Sequence, residues 1–558
     1  MIRRSHGDES ERLLEDTIQE KPATVTTRVL EEKVTWRSLP HKKQLLLLAL
    51  CRLSTPLSNA CLLPYLYFLV KSILADPEHP SAPQKISRMT GMLVAAYPLG
   101  QMTTSMLWGR VSDTYGRKPT ILLGLTISVI ANLSFGFSRS IGMLMFWRVL
   151  AGMANGVLGV MRTMTAEIVK ERKYQTRAFL ALPLIFNSGR VAALAIGGCL
   201  ADPVHNLPVF FGAAGVFNFS HNPGGVSWTI EYPYALPALF NGTVLGICLV
   251  LATLWLRESL PAKESDWDLG LAIGRTITGF VRRQILGKRE ASYTAIQIEE
   301  GEAIMADVPI IQDTPSGSST PTTYEQKPLR PSFRKIWTKR LAKTLIAFGL
   351  LPLHNSTFLH VFPVFLAMPS VKNEHPTAIY FIGGLGLASP TIGLYLAAFG
   401  ICGILLQLFI YPRIQKRIGT LGIYRLAHCI FPFAYLFAPC LSLLSQNATG
   451  KWPAMAAVLF AQIMARTMAI PSTVILLTEA APQRSVLGTV HGAGNTLSAM
   501  ASATGPVIGG LLLAWGIEHG SVGFVWWAWL CVVALAAFVW SFFVDNYNIE
   551  DHAEEIPR

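Results

Sequence analysis

The chain has 558 residues, 51% of them hydrophobic and only 15% charged, with a mean hydropathy of +0.40. A soluble domain carries about 25% charged residues, so a soluble reading would have to bury apolar runs that recur along most of the chain. The formal charge of +13 is spread over alternate loops rather than gathered on one globular face, which argues against a nucleic-acid partner and for a membrane topology.

Residues 1–43 read as a disordered cytoplasmic tail, with no signal-peptide-like apolar region ahead of Leu45, so the first span is expected to direct insertion. Apolar runs of about 20 residues or more can cross a bilayer. They predict spans near 44–70, 90–108, 119–138, 141–166, 178–200 and 234–256, which make a first half over 44–256. Residues 257–340 follow as a cytoplasmic central loop whose 313–323 segment is too polar and turn-rich to pack. Six more spans, near 341–367, 390–411, 421–444, 454–478, 488–516 and 523–543, make a second half over 341–543, and 544–558 is a second cytoplasmic tail. The expectation is an all-α membrane protein of twelve helices in two pseudo-symmetric halves, with the lipid bilayer as its first partner.

Orientation follows from charge. Arg110, Arg117 and Lys118 follow span two, Lys170, Arg172, Lys173 and Arg177 follow span four, and Arg413, Lys416 and Arg417 follow span eight. The 201–231 loop has no Lys or Arg, so the positive-inside rule places both termini and the central loop in the cytosol. Of five Asn-x-Ser/Thr sites, Asn132, Asn241 and Asn355 lie inside spans, whereas Asn218 and Asn447 fall in outside loops and are candidate glycosylation sites.

The halves echo each other. Trp108 to Gly116 aligns without gaps to Tyr411 to Gly419, pairing Arg110 with Arg413 and Gly116 with Gly419, while Asp113 becomes Lys416. Gly197-Gly198 ends span five, and span eleven carries Gly505-Pro506-Val507-Ile508-Gly509-Gly510. Two related six-helix halves are expected of a transporter that rocks about a central site. The eight cysteines all lie in apolar runs without metal spacing, and no nucleotide loop, metal cluster or nucleophile motif occurs. No cofactor, no metal and no enzymatic activity are expected, and transport would run on gradients.

Residues 108–124, Trp-Gly-Arg-Val-Ser-Asp-Thr-Tyr-Gly-Arg-Lys-Pro-Thr-Ile-Leu-Leu-Gly, resemble the signature loop of the major facilitator superfamily. Gly109 suits close helix approach, Asp113 is short enough to cap a neighbouring helix, and Gly116 permits a left-handed turn. Arg117 and Lys118 can meet acids or anionic headgroups. The resemblance implies that Asp113 docks at the start of span eleven, that the loop's arginine pairs with Glu167 closing span four, and that Glu479 closing span ten is the counterpart of Glu167. Together these groups form a conformational latch. Arg52-Leu-Ser-Thr-Pro-Leu, Pro64-Tyr-Leu-Tyr-Phe, Arg148-Val-Leu-Ala-Gly-Met-Ala-Asn-Gly, Gln175-Thr-Arg-Ala-Phe-Leu-Ala-Leu-Pro and Leu256-Arg-Glu-Ser-Leu-Pro resemble the zinc-induced-facilitator-like group and its fungal relatives, beside the drug:proton antiporters. The chain departs from that pattern at Thr55, where relatives often carry an acid, and at Ala193-Leu194, which replace Gly-Pro in span five. The central loop holds no Cys or His, so a dedicated zinc route is not supported.

Charge inside a span is costly and usually functional. The interiors of the predicted spans hold Arg52, Arg148, Arg190 and Arg466 but no midplane carboxylate. Arg148 matches the superfamily arginine linked to proton coupling, with a purely structural role left open. Arg190 sits about 18 Å into span five at 1.5 Å per residue, and Arg52 could snorkel. His354, Asn355 and His360 in span seven, His428 and His491 are candidates for the coupling proton or for packing, and Tyr97, Gln101 and Asn187 are further polar candidates.

The leading reading is a monomeric secondary exporter of a small organic molecule, driven by a proton gradient, in the plasma or vacuolar membrane. An importer of the same fold and a non-transporting sensor are the alternatives. The arginine content favours neutral, zwitterionic or anionic cargo over basic cargo.

Overall fold

The computed structural model describes residues 40–75, 82–169, 172–260, 263, 266–284, 336–371, 379–482 and 486–544. The tails and most of the central stretch, including 313–323, lie outside the described residues. Each of the twelve predicted spans falls on helix, whole or broken, and the described residues form no β-strand beyond one isolated bridge, Phe381 to Ser521.

Span one is broken into Lys42–Cys51, Ser54–Asn59 and Leu66–Ile73. Pro64 offers no amide hydrogen, so the chain between the last two pieces cannot run on as regular helix. The final carbonyls of Ser54–Asn59 are then left over, and side chains from other spans satisfy them. Arg148 Nη1 donates to Ser58 O at 2.6 Å, and Asn241 Nδ2 donates to Leu57 O at 3.1 Å. Backbone released inside a membrane helix is tolerated only where protein re-satisfies it in this way.

Span two is Pro83–Tyr115, span three Arg117–Gly136, span four Ile141–Ala154 and Leu158–Ile168 joined by the tight turn Asn155–Val157, span five Arg172–Leu200 and span six Ala235–Trp255. Between spans two and three stands Gly116 at φ 109, a backbone conformation that side-chain-bearing residues rarely adopt. Span seven is Lys339–Ala367, opened by Thr338, whose hydroxyl accepts from Leu341 N. Span eight, Ser389–Leu405, continues through the π-helical turn Leu406–Ile410 into Tyr411–Phe437, and Gly419 at φ 72 breaks that helix where span nine begins. Spans ten and eleven are Ala448–Glu479 and Leu487–Glu518, and span twelve runs through Trp526–Cys531 into Val532–Trp540. Outward-facing Leu405, Leu408, Phe409, Phe433, Phe437, Val532, Leu535 and Val539 are exposed, as lipid-facing side chains are in an integral multi-pass membrane protein.

One expectation is corrected here. Residues 257–340 are not loop throughout, because Leu269–Gln284 is a helix. It presents Leu269, Ile273, Ile277, Phe280 and Val281 outward, and its Gly270 and Gly274 sit against the Thr253 and Leu254 carbonyls ending span six. A helix docked on one face with apolar side chains on the other suits the membrane interface. Its apolar residues are too few and too interrupted to read as a span, which is why hydropathy alone passed over it.

The halves meet through two crossings at the end opposite the 109–118 loop. Span two crosses span eleven where a Cβ on Gly91 would stand 2.5 Å from Pro506 O and 3.1 Å from Gly510 Cα. Span five crosses span eight where a Cβ on Gly198 would stand 2.4 Å from Ser389 O and 3.0 Å from Gly393 Cα. The two crossings repeat each other, since Ser87 and Gly91 match Ser389 and Gly393 in spacing, and Gly198 and Gly510 each end a Gly-Gly pair. Small residues let the backbones touch there.

Candidate functional site

Between the halves lies a cavity of two adjoining lobes of about 560 and 450 Å³, sharing Leu63, Leu158, Arg162, Phe186, Arg190 and Leu359. Its lining includes Ser105 late in span two, Arg162 late in span four, Val474 late in span ten and Asn495 early in span eleven. These all lie toward the end that carries the 109–118 loop. A Cβ on Gly159 or Gly492 would meet open space. The cavity is therefore open at the loop end and sealed at the other by the glycine crossings.

The lining holds Arg52, Arg162, Arg190 and Arg466 but no Asp or Glu among the described residues. Arg52 donates to Thr55 Oγ1, which in turn donates to Asn155, and its guanidinium lies 4.7 Å from the Phe186 ring centre. Arg190, from span five, and Arg466, from span ten, face the larger lobe from opposite halves. Arg148 is placed differently. It is buried and bonded to Ser58 O, to Asn59 Oδ1 at 2.8 Å and to Leu93 O at 3.3 Å, with the Tyr97 ring 5.0 Å away. It lies outside both large lobes and braces the broken span one against span two.

Asn355 lines the smaller lobe and accepts from Gln462 Nε2 at 3.1 Å. His360 lines it too, and among the described residues neither of its ring nitrogens is hydrogen-bonded. His354 faces away into the second half, where its Nδ1 meets Tyr435 OH at 2.8 Å and Phe431 and His428 pack around it. His428 Nδ1 is satisfied by Tyr424 O at 2.9 Å, and His491 meets Thr478 at 3.1 Å. Of the two roles left open for His354, its surroundings support packing; one residue on, Asn355 lines the cavity because helix faces turn about 100° per residue.

The signature loop gathers five of its expected residues, Asp113, Gly116, Arg117, Lys118 and Glu167, with two more, Glu258 and Asp268. The Arg117 guanidinium, almost fully buried, bonds Asp113 Oδ1 at 2.5 Å and Glu167 Oε1 at 3.1 Å. Glu258, in the Arg-Glu-Ser stretch after span six, accepts from Arg117 N at 2.9 Å and Lys118 N at 3.0 Å, capping the positive start of span three. Gly116 is where it must be, since a Cβ there would stand 2.6 Å from that carboxylate. Lys118 Nζ reaches Asp268 Oδ2 at 2.5 Å, ahead of the surface helix. Burial raises the Asp268 carboxyl, but the hydrogen bonds from Lys118 and from Leu271 N outweigh it and hold the group below its ordinary value.

Two loop expectations differ from what the structure holds. Among the described residues Asp113 meets Arg117 rather than the start of span eleven. A Cβ on Gly109 would meet nothing within 4 Å, so among the described residues no helix approaches closely there. Both follow from the open cavity, which keeps span eleven's start away from the loop. Glu479 is part-buried at the end of span ten, with Arg340 the opposite charge acting on it.

The Asn218 amide nitrogen donates to Ala213 O at 2.7 Å and Asn222 O at 2.8 Å and is buried, so the folded 201–231 loop leaves no room for a sugar on it. Asn447 is exposed and caps span ten through its carbonyl oxygen, which accepts from Thr449 N and Gly450 N. Sequence reasoning passed over Glu258, Asp268, Arg162, Gln407 and Gln462. Glu258 stood inside a quoted motif and was legible. Gln407 was not, because the π-helical turn rotates it into the cavity, where it accepts from Asn187 at 3.2 Å.

The Major Facilitator Superfamily model matches residues 48–384. The chain is 31% identical to the Major facilitator superfamily multidrug transporter mfsB of Aspergillus fumigatus, over 92% of this chain and 84% of that one. It is 24% identical to Protein ZINC INDUCED FACILITATOR 1 of Arabidopsis thaliana, over 85% of this chain and 84% of that one. Among solved structures, a D-xylose-proton symporter superposes with a TM-score of 0.58 at 13% identity, over 90% of this chain and 97% of that one, a likeness of fold.

Proposed function

The chain belongs to the major facilitator superfamily of membrane transporters, and from that premise we propose that it exports small organic molecules by alternating access. The observation that carries the reading is the cavity between two repeated halves, open at one end and sealed at the other by Gly91–Gly510 and Gly198–Gly393. The likeness to the Aspergillus multidrug transporter supports outward transport of small molecules. With the basic loops in the cytosol, this conformation is the inward-open one that loads cargo.

Asp113, Arg117 and Glu167 lie within the first half and Glu258 directly after it, so the cluster holds that half's loop end together while the cavity is open. On closing, span eleven's start would come within reach of Asp113, which is well exposed in the open state, and the latch would pass from one half to both. Protons are the proposed driving ion, with His360 as a titratable group facing the smaller lobe and Arg148 as a brace. The plasma or vacuolar membrane is the proposed site, and a monomer the working unit.

The test is accumulation of a panel of fluorescent small molecules in host cells expressing the chain, against cells expressing Gly91→Leu. Lower accumulation with the unaltered chain, lost when the pH gradient is collapsed, is expected. Higher accumulation would make it an importer.

A further inference from the structure

The arginines of this protein divide by what holds them. Arg148 has three acceptors and Arg52 has Thr55 and the Phe186 ring. Among the described residues, Arg190 and Arg466 donate no hydrogen bond, and the Arg466 Nε is shielded without an acceptor. A buried donor left without an acceptor costs free energy comparable to a lost hydrogen bond. A cationic pair in a space without carboxylates is costlier still, because each charge disfavours the other. Such groups persist where a ligand completes them.

Both guanidiniums open onto the larger lobe, Arg190 from the first half and Arg466 from the second. Arg162, exposed nearer the open end, adds a third positive charge on the way in. Most of the remaining wall is apolar and aromatic, with Phe186, Phe358, Phe362, Leu396 and Ile463 around it and the neutral polar groups of Asn187, Gln407, Gln462 and Thr467 among them. Guanidinium forks fit oxyanions in bidentate geometry, and positive charge along an opening draws anions in.

Resting on the exporter reading, we infer that the cargo is an amphipathic organic anion whose carboxylate or phosphate group is clasped between Arg190 and Arg466 while its apolar body packs in the larger lobe. The clasp also explains loading. Empty, two like charges on opposite halves oppose closure; an anion between them cancels that repulsion and ties the halves together. A cationic molecule adds to the repulsion and is excluded.

The test uses probes of one shape and different charge on the full-length protein in nanodiscs: 4-phenylbutyrate, 3-phenylpropylphosphonate, 4-phenylbutyramide and 4-phenylbutylamine. At least one of the two anions should bind saturably and about tenfold or more tighter than the amide, with the amine weakest. Arg190→Gln and Arg466→Gln should each weaken the anion about tenfold or more and leave the amide unchanged, whereas Arg190→Lys and Arg466→Lys keep part of the affinity. Which anion wins separates a carboxylate cargo from a phosphate one. Equal or tighter binding of the amide or amine, or no saturable binding of either anion, overturns the assignment. So does anion binding unchanged in the Arg190→Gln/Arg466→Gln double variant. The charge series on the unaltered chain decides the matter even if a variant fails to fold. Export of neutral compounds persisting alongside a failed charge preference would refute this site and spare the exporter reading.

Discussion

The two ends of the cavity are held by different physics. At the sealed end, backbone touches backbone across Gly91–Gly510 and Gly198–Gly393, a contact set by the absence of side chains and felt over a few tenths of an ångström. At the open end, charged groups do the holding. Arg117, Glu167, Asp113 and Glu258 tie the first half to itself, and Arg162, Arg190 and Arg466 stand across the gap. Close packing gives a seal that is either made or broken. Charges act over longer distances and change with what binds, so the open end is the responsive one.

The largest expected effect breaks the sealed end. Gly91→Leu or Gly198→Leu drives a side chain into a backbone that cannot yield, which costs about 1–3 kcal/mol or more. Vesicle transport should fall to background, with faster amide exchange at the sealed ends of spans two and eleven for Gly91→Leu; normal transport would show that the seal does not depend on these contacts. Next is Arg148, which belongs to neither end. Arg148→Leu leaves Ser58 O and Leu93 O without their donor, so melting should fall by about 2–3 kcal/mol equivalent, and Arg148→Lys should restore only part. A stable variant that has lost only its proton dependence would move Arg148 from brace to coupling group.

Smaller effects sharpen the open end. Glu167→Gln removes one of two carboxylates from the buried Arg117 and should slow transport several-fold, and Asp113→Asn, which weakens the latch formed on closing, should slow it as well. Rates indistinguishable from the unaltered chain would leave the latch without a role. The smallest concerns the surface helix. Because Asp268 titrates below its ordinary value of 3.8, its pairing with Lys118 stabilises docking above that value and is lost as pH falls through the lower, folded one. The contribution is about 1 kcal/mol for a part-exposed pair, so exchange of Leu269–Gln284 should rise only below about pH 4, and at all pH values in Asp268→Asn.

Most of the scaffold was legible because a bilayer imposes a length on each apolar run and a charge on each loop. The twelve spans, the duplication and the 109–118 loop all came from one-dimensional patterns of that kind. The candidate site was legible by residue type and less so by position. That charge sat inside the spans was plain, yet nothing in the sequence distinguished Arg148, which three acceptors satisfy, from Arg466, which among the described residues has none. Nor did it show that His354 turns inward while Asn355 lines the lobe, or that the Asn218 amide is folded into its own loop.

What the sequence determined alone was the set of elements and their shared ancestry, because hydropathy, turn residues and repeat spacing act locally along the chain. What only the tertiary structure decided was which charges are partnered, which glycines seal, and which end stands open. Those depend on side chains from spans tens to hundreds of residues apart meeting in a medium without water, where the presence of a single acceptor separates a brace from a binding group.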